Sequence, residues 1–141
     1  MSHWRSDYRT SVRAALAARP RFASFRIMKI WPGSIDDASL PVIGVLTPTE
    51  PVARDSQKSA TRRTLLQVAL RRIGGEDVED ILDADSDEIE AVVLAALRTP
   101  ARRAQLEELT IVSNSLSEAY VGTLVMSFRI QSFRSEPVLT P

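Results

Sequence analysis

Few residues of this chain could take part in chemistry directly. His3 is the single histidine, it stands near the first residue, and cysteine is absent. A catalytic triad, a histidine-based metal site and a thiol nucleophile each depend on one of these two residue types. The sequence therefore predicts that the protein is not an enzyme and that it uses no metal and no cofactor.

Three aspartates, Asp83, Asp85 and Asp87, stand at alternate positions, as they would at the start of a calcium-binding loop. Such a loop also needs a glycine at its turn and a glutamate at its end, where this chain has Leu94. We therefore interpret the run as part of a helix. The preceding Gly74–Gly75 pair fits neither glycine-rich phosphate-binding motif, and the acids after it would repel phosphate.

Charge is balanced over the whole chain but separated along it. Lysine and arginine together number 18, as do aspartate and glutamate, so the formal net charge is +0. Residues 1–29 contain seven basic residues against Asp7, whereas residues 76–90 contain nine acids and no base. Blocks of opposite sign on one small domain predict head-to-tail contact between copies of the chain. Two solvated faces, or pairing of the blocks within one subunit, are the alternatives.

Apolar residues at helical spacing predict two helices. The first spans residues 6–18 and the second, which is acidic, spans residues 77–97. A break is expected in the second helix near Ala84, because Asp85 has the residue type of an N-cap and Glu88 follows three residues later.

Alternating apolar residues predict five strands, at residues 24–31, 40–47, 61–73, 106–116 and 120–133, with the last two forming a hairpin. Residues 48–60 are polar and contain two prolines, which predicts a long mobile loop with a functional contact. The order α-β-β-β-α-β-β predicts an α+β fold: a two-layer domain with an antiparallel or mixed sheet of about five strands and two main helices. This domain covers residues 1–134, followed by an extended tail at residues 135–141.

The third predicted strand has two distinct faces. Thr64, Leu66, Val68 and Leu70 alternate along it and form the predicted inward face. The opposite face is more apolar than contact with solvent alone requires, which predicts that something covers it.

No stretch of the chain reaches the roughly 18 consecutive apolar residues of a membrane span, so no membrane partner is expected.

The layout resembles that of the tail terminator proteins of long, non-contractile phage tails, the minor tail protein U type, also found in prophages and gene-transfer agents. The resemblance rests on the starting helix, the segment D-x-x-L-P-x-I-x-V at residues 37–45, the polar loop to residue 60, the long strand at residues 64–70, the acidic helix at residues 85–97 and the closing hairpin that ends at residues 124–130. It implies a structural virion protein that forms a ring, usually of six subunits. The ring caps the tail tube, ends its polymerisation and provides the surface for head attachment.

The same resemblance implies the partners and the place of assembly. The partners are further copies in a hexameric ring, the major tail tube protein and the head connector, with DNA only passing through the ring. The protein would stand at the head-proximal end of the virion tail after assembly in the host cytoplasm. A head–tail joining protein is the first alternative, and a nucleic-acid-binding accessory domain is the second.

The expected ring and the separated charges together give a hypothesis for the residues that contact neighbouring subunits and the tube. Basic residues of one subunit would meet the acidic block of the next, through Arg5, Arg9, Arg13, Arg98, Arg102, Arg103, Asp80, Asp83, Asp87 and Glu90. The polar loop would contact the tube through Glu50, Arg54, Asp55 and Lys58. The nucleic-acid alternative would instead use Arg5, Arg9 and Arg13 on the first helix.

Overall fold

The described part of the chain combines two α-helices with six strands. The computed structural model describes residues 3–31, 40–116 and 119–140. In chain order, the elements are α1 (Trp4–Ala17), a short 3-10 helix (Pro20–Phe22), β1 (Arg26–Met28), β2 (Val42–Thr49), β3 (Val52–Arg54), β4 (Ser59–Gly74), α2 (Val78–Leu97), β5 (Arg102–Leu116) and β6 (Ala119–Ser135).

The strands form one mixed sheet in the order β1-β2-β4-β6-β5, with β3 paired to the beginning of β4. β1 runs parallel to β2, and the other pairings are antiparallel. At the centre, Leu66 of β4 lies opposite Phe128 of β6. The predicted α+β fold is confirmed, as is the hairpin of the last two strands. β1 is shorter than predicted, with three residues, and β3 is a strand that the sequence did not predict.

The core lies between one face of the sheet and the two helices. Alternate residues of β4 and β6 face the helices, and the predicted inward residues Thr64, Leu66, Val68 and Leu70 are all 0% exposed. The helices contribute one buried stripe each: Tyr8, Val12 and Leu16 from α1, and Val78, Leu82, Asp85, Ser86, Ile89, Val93 and Leu97 from α2. Side chains alternate between the two faces of a strand and return to the same face of a helix every 3.6 residues. This spacing accounts for the separation of buried from exposed residues.

The acidic helix α2 is continuous over 20 residues, so the predicted break near Ala84 is wrong. Asp85 is a buried residue in the middle of the helix, and Asp77 occupies the N-cap position instead. α2 also packs closely against β6. A Cβ atom on Gly122 would lie only 2.6 Å from Cδ1 of Leu82, so glycine permits this approach.

The segment predicted to be a long mobile loop, residues 48–60, is mostly β structure. β3 pairs with β4 so that Ala53 lies opposite Thr61. The backbone N–H of Asp55 donates to the carbonyl of Ser59 at 3.0 Å, and the hydroxyl of Thr61 donates to the Asp55 carboxylate at 2.8 Å. The loop prediction is wrong because β4 extends past its pairing with β2. Its extra residues pair with a short strand whose own sequence is not apolar.

The central strands are longer than the helices that cover them. β4 has 16 residues and β6 has 17, about 50 Å at ~3.3 Å per residue, whereas the 14 residues of α1 span about 21 Å. We call the end of the sheet that residues 51–61 and 133–136 form the arm. Residues 51–58 are all exposed, and residues 136–140 follow β6 without forming a helix or strand.

Candidate assembly surfaces

Glu50 lies where the arm joins the rest of the sheet, and its side chain is only 3% exposed. Its carboxylate accepts hydrogen bonds from the indole Nε1 of Trp4 at 2.9 Å and from the hydroxyl of Thr64 at 2.5 Å. Arg5 and Arg62 donate to the other carboxylate oxygen at 3.1 Å and 3.0 Å. One buried carboxylate therefore connects the first turn of α1 to the base of the arm.

The charge of Glu50 is stabilised in this position. Burial alone would raise the pKa of Glu50, but the hydrogen bonds from Thr64, Trp4 and Arg62 and the charge of Arg5 outweigh it and lower the pKa below its ordinary value. The carboxylate of Glu50 has almost no exposed surface, and its contact with the tail tube stays a prediction.

The arm is also held at its tip. Arg54 forms an ion pair with Glu136 and donates to the backbone carbonyl of Gln57 at 3.1 Å. The backbone N–H of Glu136 donates to the carbonyl of Lys58 at 2.7 Å. Of the predicted tube-contact residues, Arg54 and Asp55 thus have partners inside the arm, while the exposed Lys58 side chain forms no ion pair with the described residues. Their contact with a tube stays a prediction.

A second buried carboxylate, Asp85, attaches α2 to the sheet and to the segment after α1. Asp85 is 0% exposed and accepts from Nε of Arg21 at 2.6 Å and from Arg72 at 2.8 Å and 3.0 Å. The Arg72 guanidinium also lies 5.1 Å from the ring centre of Phe25. Beside this cluster Arg19 pairs with Glu88 at 3.0 Å. Two arginines of the basic block therefore pair with the acidic block inside one subunit.

The basic residues predicted to contact a neighbour are partly engaged within the subunit. Arg5 is bound to Glu50, and Arg98 and Arg102 donate to the carbonyls of Ala104 and Leu97, at 2.9 Å and 2.5 Å. Arg102 thereby satisfies a carbonyl at the C-terminal end of α2, where a cation is favourable. Arg103 is exposed and has no partner among the described residues. The role of these four arginines between subunits stays a prediction.

The predicted acidic contact residues lie together on one side of α2. Asp80, Asp83, Asp87 and Glu90 are separated by three, four and three positions, which aligns them along one helix face. The three aspartates are exposed, and no salt bridge joins any of the four residues to the described part of the chain. We call this surface the acidic face.

Arg9 and Arg13, the other two predicted contact residues, border a groove between α1 and β1. The groove has a volume of about 410 Å³ and is lined by Thr10, Arg13, Ala14, Ala17, Ile27 and Lys29. An adjoining groove of about 330 Å³ is lined in part by Arg9, Lys29 and Thr47. We call the two together the basic groove. Burial and the neighbouring charge of Arg9 lower the pKa of Arg13.

The described residues contain no group of acids and histidines that could hold a metal ion, and none of their helices is long and apolar enough to cross a membrane. The candidate assembly surfaces are the acidic face, the basic groove and the arm. In comparisons with known proteins, the chain matches no family model and no curated protein.

Proposed function

We propose that this protein is a structural subunit of a phage tail: a tail terminator that forms a ring on the end of the tail tube. The ring ends tube polymerisation and provides the surface for head attachment. Its partners are further copies of the chain in a hexameric ring, the major tail tube protein and the head connector. It performs no catalysis, and it acts at the head-proximal end of the virion tail after assembly in the host cytoplasm.

The arm is the observation that carries this proposal. A ring that caps a tube needs a lateral contact to its copies and an axial contact to the tube. Residues 51–58 of the arm are exposed throughout. The arm is held at its base by Glu50 and by Arg134, which donates to the Tyr8 hydroxyl of α1, and at its tip by the Arg54–Glu136 pair. Val52 and Phe133 are 49% and 64% exposed on it. A surface that is fixed in position and carries exposed apolar side chains suits an axial contact.

The resemblance in the order of elements is the second support. The starting helix, the long central strand, the acidic helix and the closing hairpin occur in the fold in the order on which the resemblance rests. A head–tail joining protein would share much of this layout. The two functions differ in effect, because a joining protein binds the completed end without limiting the length of the tube.

Tube length therefore tests the proposed function. Added to polymerising tail tube protein, the protein should shorten the tubes and leave a ring at one end, both measured by electron microscopy. Phe133→Ser should abolish this effect, because it removes the apolar contact of the arm. Val112→Ser, at a side chain that is 48% exposed outside the arm, is the matched control and should cap normally. Tubes of unchanged length with bare ends would contradict the proposal.

A nucleic-acid-binding accessory domain is a second candidate because the basic groove holds cations that form no salt bridge with the described residues. Phosphate oxygens would suit Arg9, Arg13 and Lys29. If this candidate is right, Arg9→Glu with Arg13→Glu should abolish retention on DNA and leave self-association unchanged. Arg5 is left intact in this design because its reversal would also disturb Glu50.

A further inference from the structure

The basic groove holds three cations that form no salt bridge with a carboxylate in the described part of the chain. Arg9 donates to the hydroxyl of Thr47 at 2.5 Å and Arg13 to that of Thr10 at 3.4 Å, and both acceptors are neutral. Arg9 and Arg13 are half-buried and Lys29 is exposed in this open groove. Because neighbouring cations repel one another, an acidic occupant would stabilise them.

The acidic face of α2 has the complementary properties. Its carboxylates form no salt bridge with the described residues, and they lie in one line along a helix. Small exposed residues stand beside them at Ala84, Ala91 and Ala95. A helix side with short side chains can approach a groove closely, and the groove wall contains the equally small Ala14 and Ala17.

The two surfaces lie on different sides of the same subunit. The basic groove opens between α1 and β1, and β1 is the strand at one end of the sheet order. α2 packs over β5 and β6, which lie at the opposite end of the sheet from β1. α1 therefore lies between α2 and the groove. The acidic face of a subunit is therefore not placed to fill its own groove, and a second copy can supply it.

We propose that the acidic face of one copy docks into the basic groove of the next. This contact is heterologous, since it joins two different surfaces, and its repetition closes into a ring when the rotation between copies allows. It names the lateral contact of the ring and so rests on the proposed function. Arg9, Arg13 and Lys29 are the receiving cations, and Asp80, Asp83, Asp87 and Glu90 are the donated acids.

Charge reversal on each surface tests the contact. The groove variant carries Arg9→Glu and Arg13→Glu, and the face variant carries Asp83→Arg and Asp87→Arg. Either variant alone should raise the apparent dissociation constant of self-association at least about 100-fold, because like charges would then face each other. An equimolar mixture should assemble again, because every reversed face then meets a reversed groove. Mass by light scattering and sedimentation is the measurement, with circular dichroism to verify folding.

A control variant reverses a charge elsewhere. Arg63→Glu alters an exposed arginine that faces away from the helices and lies opposite Gln131 of β6. This variant should assemble like the unmodified protein. Raising the salt concentration to about 1 M should also weaken the unmodified ring, because it shortens the range of charge interactions to about 3 Å.

The outcomes separate this contact from the proposed function. Monomeric single variants together with an assembling mixture support the docking of acidic face into basic groove. Rings formed by either variant alone overturn it and leave the tail terminator proposal standing, because another lateral surface would then be in use. An unmodified protein that never self-associates, on tube ends or in solution, overturns it too, and the tube-length assay then judges the function separately. Loss of DNA binding in the groove variant without any self-association overturns it in favour of a nucleic-acid partner.

Discussion

Asp85→Asn is expected to lower the free energy of unfolding by about 3–5 kcal/mol, the loss typical when one member of a buried ion pair is removed. The carboxylate is 0% exposed and neutralises two arginines, Arg21 and Arg72, that come from outside its helix. An amide cannot neutralise them, and its NH2 group would add donors where acceptors are needed. Chemical denaturation followed by circular dichroism measures the effect.

Asp87→Asn is the matched control, because it makes the same chemical change two residues further along the same helix. Asp87 is exposed and forms no salt bridge with the described residues, so we expect a change within about 0.5 kcal/mol. Equal stabilities of the two variants would show that the Asp85 cluster does not hold α2 in place.

Glu50→Ala is expected to lower the free energy of unfolding by about 3 kcal/mol. The substitution removes the acceptor for four donors, two of them cationic. Arg5 is 38% exposed and recovers part of its hydration, which keeps the loss at the lower end of the range. The indole of Trp4 donates to this carboxylate, so a shift in tryptophan fluorescence should accompany the loss. Equal stability of the variant and the unmodified protein would contradict the role assigned to Glu50.

The same residue predicts a dependence on pH. The folded-state pKa of Glu50 is lowered from its ordinary value of 4.5, so the ionised form favours the folded state. The stabilisation is present above pH 4.5 and is lost as the pH falls through the lower folded-state pKa. Between these values the unmodified protein should lose stability on acidification more steeply than Glu50→Gln. Parallel curves for the two proteins would contradict this assignment.

The long elements could be predicted from the sequence because burial imposes a regular period on them. Thr64, Leu66, Val68 and Leu70 alternate with more polar residues, and burial on one face of a strand requires that pattern. The first helix was predicted within two residues of its observed bounds for a similar reason, since Tyr8, Val12 and Leu16 repeat at four-residue spacing.

β3 could not be predicted because its three residues form a strand only through their pairing with the distant segment β4. Val52, Ala53 and Arg54 are all exposed, so neither face shows an apolar period. They form a strand because the beginning of β4 extends past the end of β2 and offers its backbone groups. Pairing of this kind depends on the relative lengths of distant segments, which hydrophobic periodicity does not report.

The two buried carboxylates were missed for a different reason. Counting charge by segment treats Asp85 as one member of an acidic run, whereas its pairing with Arg21 and Arg72 depends on packing. A signal for Asp85 was present, because it stands at the helical spacing of the buried Leu82 and Ile89. Glu50 offered no such signal, since it follows a strand and its donors come from α1 and β4.

The mass of the protein in solution decides whether it self-assembles. Light scattering over a concentration series, with and without purified tail tubes, compares the monomer of 15.6 kDa with its multiples. We predict a closed hexamer at high concentration, or a monomer that forms rings on tube ends when tubes are added. A mass that stays at 15.6 kDa at every concentration, from a protein that does not bind tubes, would contradict the account.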